Sequence, residues 1–202
     1  MDELDNIIKF FNTDLDKADY QYFHQLLHKR TILFNDEVDE GIVESIYLPL
    51  KDFENDQDMT PVTLILNSPG GSVTDALFMC NVIDNYSKPL KIVVPAYACS
   101  MGTVILCAGN KNPNVTKYCY PFSFGLLHSG QTAISGESTS VEDAIFFNKS
   151  IDDMIKNYII TNTKITEDLY AAHHRKQWYL SATEMKEYGL IHKIIGCDTN
   201  VI

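Results

Sequence analysis

The stretch Val62-Thr63-Leu64-Ile65-Leu66-Asn67-Ser68-Pro69-Gly70-Gly71-Ser72-Val73 decides the fold. Its first five residues form a compact apolar run, too short for a buried helix, and read as a buried strand. Asn67, Ser68, Pro69 and two glycines then end it with a strong turn signal. Beyond the turn, Val73, Ala76, Leu77, Cys80 and Ile83 recur at helical spacing. The order is strand, turn, helix, and it repeats on both sides. Upstream, Thr31-Ile32-Leu33-Phe34 reads as a strand. Val38, Ile42, Val43 and Ile46 then give a helix that Pro49 should kink or end. Downstream, Leu90 to Val94 reads as a buried strand closed by Pro95. A small-residue turn, Tyr97-Ala98-Cys99-Ser100, opens an apolar helix through Met101, Val104, Ile105 and Ala108. Such alternation predicts an α/β protein with a mostly parallel sheet and crossover helices.

Further out, Lys17 to Arg30 has helical spacing in Tyr20, Phe23, Leu26 and Leu27. Strands are expected near Lys117–Tyr120 and Phe124–Leu127. A long helix is expected from about Val141 to Thr161, its apolar stripe formed by Val141, Ala144, Ile145, Ile151, Ile155, Tyr158 and Ile159. Ser181-Ala182-Thr183-Glu184 has the form of a capping box, Gly189 suits the end of the helix it starts, and Leu190 to Ile195 reads as a last strand. No second core and no linker are evident, so residues 1–202 are expected to form one domain.

Composition narrows the function. The chain has 202 residues, 45% of them hydrophobic, and a formal net charge of −11. Such a charge repels polyanions, which argues against nucleic acid as a partner. Acids crowd residues 1–19 and 36–58, among them Asp36, Glu37, Asp39 and Glu40, and read as a solvated acidic face. Five irregularly spaced cysteines fit neither a disulfide framework nor a zinc site, and no metal or other cofactor is expected. Cys80, Cys99, Cys107 and Cys119 lie in apolar segments and read as buried thiols of a reducing, cytoplasm-like compartment. No secretory leader and no apolar run of membrane-spanning length is apparent.

Three segments carry chemistry. Ala98-Cys99-Ser100-Met101-Gly102 sets a serine between strand and helix, flanked by small residues, on the logic of a nucleophile elbow. Asn67-Ser68-Pro69-Gly70-Gly71 leaves amides unshielded and lets a substrate backbone come close. Leu126-Leu127-His128-Ser129-Gly130 puts a histidine at a strand end before a polar stretch. Taken singly, the three read more simply as a helix N-cap, a tight turn and a structural histidine.

Their order is more telling. A glycine-pair turn, then a serine elbow, then a histidine resembles the linear pattern of the Clp protease proteolytic subunit. The resemblance starts near Lys29-Arg30-Thr31-Ile32-Leu33-Phe34 and runs through Leu66 to Gly71, Cys99 to Gly102 and Leu127-His128. It closes with Tyr179-Leu180-Ser181-Ala182 and Glu187-Tyr188-Gly189-Leu190-Ile191. It implies a crotonase-like (ClpP-type) stack of βαβ units, with about 124–172 as a handle and 1–20 as a divergent N-terminal segment. Ser100 is then the nucleophile and His128 its base. The amides of Gly71 and Met101 form the oxyanion hole, and Gly70, Ser129 and Gly130 hold substrate. Gln177 stands where the family has its acid, and could accept the His128 Nδ1–H bond.

The resemblance further implies a serine endopeptidase that cuts unfolded polypeptides inside stacked, heptameric rings. Those rings would be homo-oligomeric, or shared with a paralogue. No Walker motif is present, so ATP would be spent by a separate AAA+ unfoldase. Two more departures stand out. Val62 to Leu66 lacks the aromatic residues on which unfoldase loops dock, and the acidic N-terminus differs from the usual axial loop. The expected location is the cytoplasm, an organellar stroma or matrix, or a phage-infected host. The alternatives are a weakly active or silent ring subunit, motivated by Gln177, and an acyl-CoA enzyme on the same fold.

Overall fold

A computed structural model describes residues 25–130, 135, 137–173 and 176–198. The N-terminal 20 residues and most of the helix expected over 17–30 lie outside the described residues, although 25–28 are helical. The expected βα units are present. Strand β1 (Thr31–Phe34) precedes a π-helical turn (Val43–Tyr47) and helix α1 (Leu48–Asn55). Strand β2 (Val62–Leu66) leads into α2 (Val73–Asp84), and β3 (Leu90–Val94) follows. Then come β4 (Tyr97–Cys99), α3 (Met101–Cys107), β5 (Val115–Cys119) and β6 (Phe124–Leu127). The chain continues through α4 (Ser138–Asn162), α5 (Glu167–His173), β7 (Trp178–Ser181), α6 (Ala182–Glu187) and β8 (Lys193–Ile194).

Two sheets result. One has five parallel strands in the order β1-β2-β3-β5-β8. The other has the order β4-β6-β7, with β4 and β6 parallel and β7 antiparallel to β6. In β2, Val62, Leu64 and Leu66 are fully buried while Thr63 and Ile65 are half-buried, so both faces are covered, as parallel strands require. Helix α3 is buried along its whole length and forms the centre of the core. A helix apolar all round can only sit inside.

Several expectations change. Pro49 does not end its helix. It enters the first turn of α1, directly after the π turn, where the Leu48 N–H reaches back five residues to the Val43 carbonyl. That wider turn accommodates a ring that would otherwise press on the carbonyl four residues back. Tyr97 to Cys99 is a strand rather than a turn, because its edge pairs with β6. Strand β7 had no alternating pattern strong enough to reveal it; β6 supplies its partner. The last strand shrinks to Lys193–Ile194, with Leu190 and Ile191 buried ahead of it. The stripe of α4 is not wholly a core face: Ile145, with Phe146, Phe147 and Met154, is exposed, whereas Ile159 is buried. The capping box at Ser181 and Glu184 is present, and Gly189 takes the left-handed φ of 77° after α6.

The acidic segment is only partly a solvated face. Asp36, Glu37, Asp39 and Glu40 are exposed, but Asp56 bridges two cations that are each only 8% exposed. Its Oδ2 lies 2.5 Å from the Arg30 guanidinium and its Oδ1 2.9 Å from Lys88 Nζ. Arg30 also donates to the Thr60 carbonyl and lies 4.7 Å from the centre of the Phe53 ring. Hydrogen bonds from Lys88 and Arg30 hold the Asp56 carboxyl at about 2, below its ordinary value. A depressed carboxyl contributes stability above its unfolded pKa and loses it as pH falls toward the folded one. Asp56→Asn should therefore unfold at a higher pH on acid titration than wild type. Circular dichroism against pH checks this, and the two curves should converge near pH 2.

Candidate active site

Ser100 joins β4 to α3 with φ of 53° and ψ of −122°, a left-handed backbone that a side-chain-bearing residue rarely adopts. Its surroundings hold it there. The Ser100 N–H donates to the Leu126 carbonyl at 2.7 Å, and the Cys99 N–H donates to the Ser68 carbonyl at 2.9 Å. Strand β4 thus lies between β6 and the glycine turn that follows β2. Thr103, fully buried, completes the lock. Its hydroxyl lies 2.6 Å from the Ala98 carbonyl and 2.8 Å from the Leu126 carbonyl, and accepts the Leu126 N–H at 3.2 Å. One side chain therefore ties the strand of Ser100 to the strand of His128.

The glycine turn is pressed onto this elbow. Gly70 has φ of 98°, and a Cβ there would sit 2.6 Å from Ser100 Cβ and 2.8 Å from the Met101 nitrogen. Gly71 has φ of 145°, and its Cβ would collide with the Val38 carbonyl. Val38 pairs with Gly71 as a parallel bridge: its N–H donates to the Gly70 carbonyl at 2.7 Å, and its carbonyl accepts from Ser72 at 2.6 Å. That pairing uses the groups flanking Gly71, so the N–H of Gly71 points the other way. Met101 is the first residue of α3, where a backbone N–H has no intrahelical acceptor. Two amides thus flank the serine.

His128 follows β6. Its Nδ1 lies 2.8 Å from the Ser129 carbonyl oxygen. A carbonyl only accepts, so neutral His128 carries its proton on Nδ1 and leaves Nε2 as a bare acceptor. Ser100, Met101, Gly71, His128, Ser129 and Gly130 all line one cavity of about 450 Å³. Gln177 does not. Its Oε1 accepts from the Tyr179 hydroxyl at 2.8 Å, so the structure gives both Gln177 and His128 Nδ1 other partners than each other. Glu167 of α5 pairs with Lys156 at 3.2 Å.

Compared with known families, residues 15–198 match the Clp protease family. The chain belongs to that family. An ATP-dependent Clp protease proteolytic subunit from Cyanophora paradoxa is 29% identical over 188 residues, covering 93% of this chain and 95% of that relative. The family is one of proteases, hydrolases that carry out proteolysis, and the mixed α/β architecture is that of the Clp protease fold.

Sequence reasoning missed the far wall of the Clp protease chain's cavity, where α4, α5 and β7 bring Asp152, Ile155, Tyr170, His173 and Trp178. The His173 ring stacks on Trp178 with centres 4.3 Å apart. None of these has a motif, and only the fold brings them together. Thr103 was missed too, although a lone hydroxyl within an apolar helix is a signal that a buried carbonyl needs it. Buried Lys117 was a third omission. Its Nζ donates to the Leu106 carbonyl at 2.6 Å and the Ala108 carbonyl at 3.1 Å, closing the far end of α3. Burial pulls its ammonium down to about 8.

Gly70→Ala should lower thermal stability by more than about 1 kcal/mol, since it adds a Cβ at positive φ and drives it into the elbow. Thr103→Val keeps the shape but orphans buried backbone groups, and should cost about 1–3 kcal/mol. Denaturant titration of both variants measures these losses.

Proposed function

We propose that this Clp protease subunit is an active serine endopeptidase using a Ser100–His128 dyad. The observation that carries this reading is the left-handed Ser100 sharing one cavity with His128, whose Nδ1 proton is spoken for by Ser129. His128 Nε2 takes the proton from Ser100 Oγ as that oxygen bonds to the peptide carbonyl carbon. The negative oxygen of the tetrahedral adduct accepts from the N–H groups of Gly71 and Met101. The imidazolium then protonates the leaving amine, the C–N bond breaks, and water releases the acyl group by the same route. Ser129 and Gly130, which line the cavity, would flank the substrate backbone, whereas buried Gly70 supports the turn beneath it. The handle region, about 124–172, belongs to the same reading, within a single peptidase domain.

The Ser129 carbonyl orients the base without lending it a full negative charge. Gln177, held on Tyr179, adds none. In a serine protease whose acid is replaced by an amide, turnover falls about 10⁴-fold. Slow turnover with a reactive serine is therefore the expected kinetic signature.

The reading extends to assembly. On α4, exposed Phe147 and Met154 share one face, and Ile145 and Phe146 are exposed around it; this apolar surface favours packing of handles between stacked, heptameric rings. Unfolded polypeptide would enter that chamber from a separate AAA+ unfoldase. Four of the five unpaired cysteines are buried, which suits a reducing compartment such as cytoplasm or organellar stroma. Among the described residues, no helix is long and apolar enough to cross a membrane.

A second reading, a silent ring subunit beside an active paralogue, is favoured by the Gln177–Tyr179 contact. Fluorophosphonate labelling of the assembled protein separates the two. Modification of wild type but not of Ser100→Ala or His128→Ala is expected; an unlabelled wild-type assembly would leave only the silent subunit.

A further inference from the structure

We propose that Asp152 makes this cavity select a basic side chain, lysine or arginine, on the acyl side of the cleaved bond. The inference rests on the serine-peptidase reading above and adds a substrate class to it. Helix α4 presents Asp152, Ile155 and Ile159 to the cavity. Steps of three and four residues keep these side chains on one helix face, at about 1.5 Å of rise per residue. Exposure falls along that face: Asp152 is exposed, Ile155 half-buried, Ile159 buried at 1%. Val104 at 2% and Trp178 at 8% exposure complete an apolar interior. The carboxylate thus stands at the mouth and the apolar wall lies behind it. That arrangement matches a side chain with a methylene stem and a cationic head. Because Asp152 is exposed, the head keeps part of its hydration and the pair avoids the cost of a fully buried ion pair.

The remaining charges agree. Among the described residues lining the cavity, no lysine or arginine occurs, and the second carboxylate is Glu37. The lining bases are His128, whose Nδ1 is held by the Ser129 carbonyl, and His173, stacked on Trp178. Tyr170 lies near Asp152. Burial first, and the Asp152 charge second, raise its hydroxyl pKa, so the phenol stays neutral. An acidic side chain entering here would meet two carboxylates and no lysine or arginine, and a neutral one would leave the mouth carboxylate unused.

The test uses the assembled full chain and fluorogenic peptides that differ only in the residue before the cleaved bond: Lys, Arg, Leu, Met or Glu. Wild type should cleave the Lys and Arg peptides with the highest kcat/KM. Asp152→Asn should cut their advantage over Leu about tenfold, and Asp152→Lys should shift preference toward Glu. Added salt should shrink the wild-type preference, since a partly exposed pair is screened. Ser100 labelling by fluorophosphonate is followed in parallel. Intact labelling with Leu or Met preferred, or with a preference unmoved by both substitutions, overturns the role of Asp152 and leaves the peptidase standing. Absence of both labelling and cleavage in wild type overturns the two together.

Discussion

The site depends on one close approach: the turn after β2 lies directly against the elbow after β4. Only a residue without Cβ fits at Gly70, because the space a methyl would need is taken by the Ser100 Cβ and the Met101 nitrogen. The same contact fixes three things. It sets the spacing between the Gly71 and Met101 amides. It wedges the Ser100 backbone into a conformation that it would leave if free. It also makes the glycine turn and the elbow move as one body. The strain at Ser100 is offset by the pairing around it, since Ser68 bridges Ala98 through the Tyr97 carbonyl and the Cys99 N–H, and the Leu126 carbonyl takes the Ser100 N–H.

Helix α3 transmits this order into the core. It is buried on every side, so its polar ends need partners from elsewhere. At the Ser100 end, Thr103 engages β4 and β6 at once. At the other end Lys117 fills the role that a glycine cap and water fill on a surface helix, reaching from β5 to the last carbonyls. A buried ammonium is costly, and its lowered pKa records that cost. Two carbonyl contacts and the negative end of the helix offset it. Ser100 is thus fixed from both ends of a short helix, and neither anchor lies in the cavity.

Much of this was legible in the sequence, for identifiable reasons. The βα alternation showed because parallel strands covered on both faces are continuous apolar runs, as in Val62 to Leu66 and Leu90 to Val94. Ser100, His128 and the glycine pair showed because each stands at an abrupt change of period. What stayed hidden depends on partners distant in the chain. Strands β4 and β7 are short and exist because β6 lies between them. Pro49 reads locally as a kink or an end, whereas the π turn before it absorbs the ring and the helix continues. Asp56 read as solvated because Arg30 and Lys88 lie 26 and 32 positions away in sequence. Gln177 stands at the position of the family's acid, but position carries no information on its side-chain partner, which is Tyr179.

The placement of Gln177 separates two tasks that an acid beside a catalytic histidine performs together. One is orientation: an acceptor on Nδ1 fixes tautomer and ring plane, and the neighbouring Ser129 carbonyl suffices for it. The other is charge: the imidazolium formed during attack is stabilised by a nearby anion, and a carbonyl dipole supplies only a fraction of that. Here the first task is met from within the same loop and the second is left open. Carboxylates are present in the cavity, but Asp152 and Glu37 are exposed, where solvent screens their hold on a developing cation. Under the proposed dyad, His128 is therefore oriented by its own loop, and the cost of the charge it gains falls at the moment the proton moves.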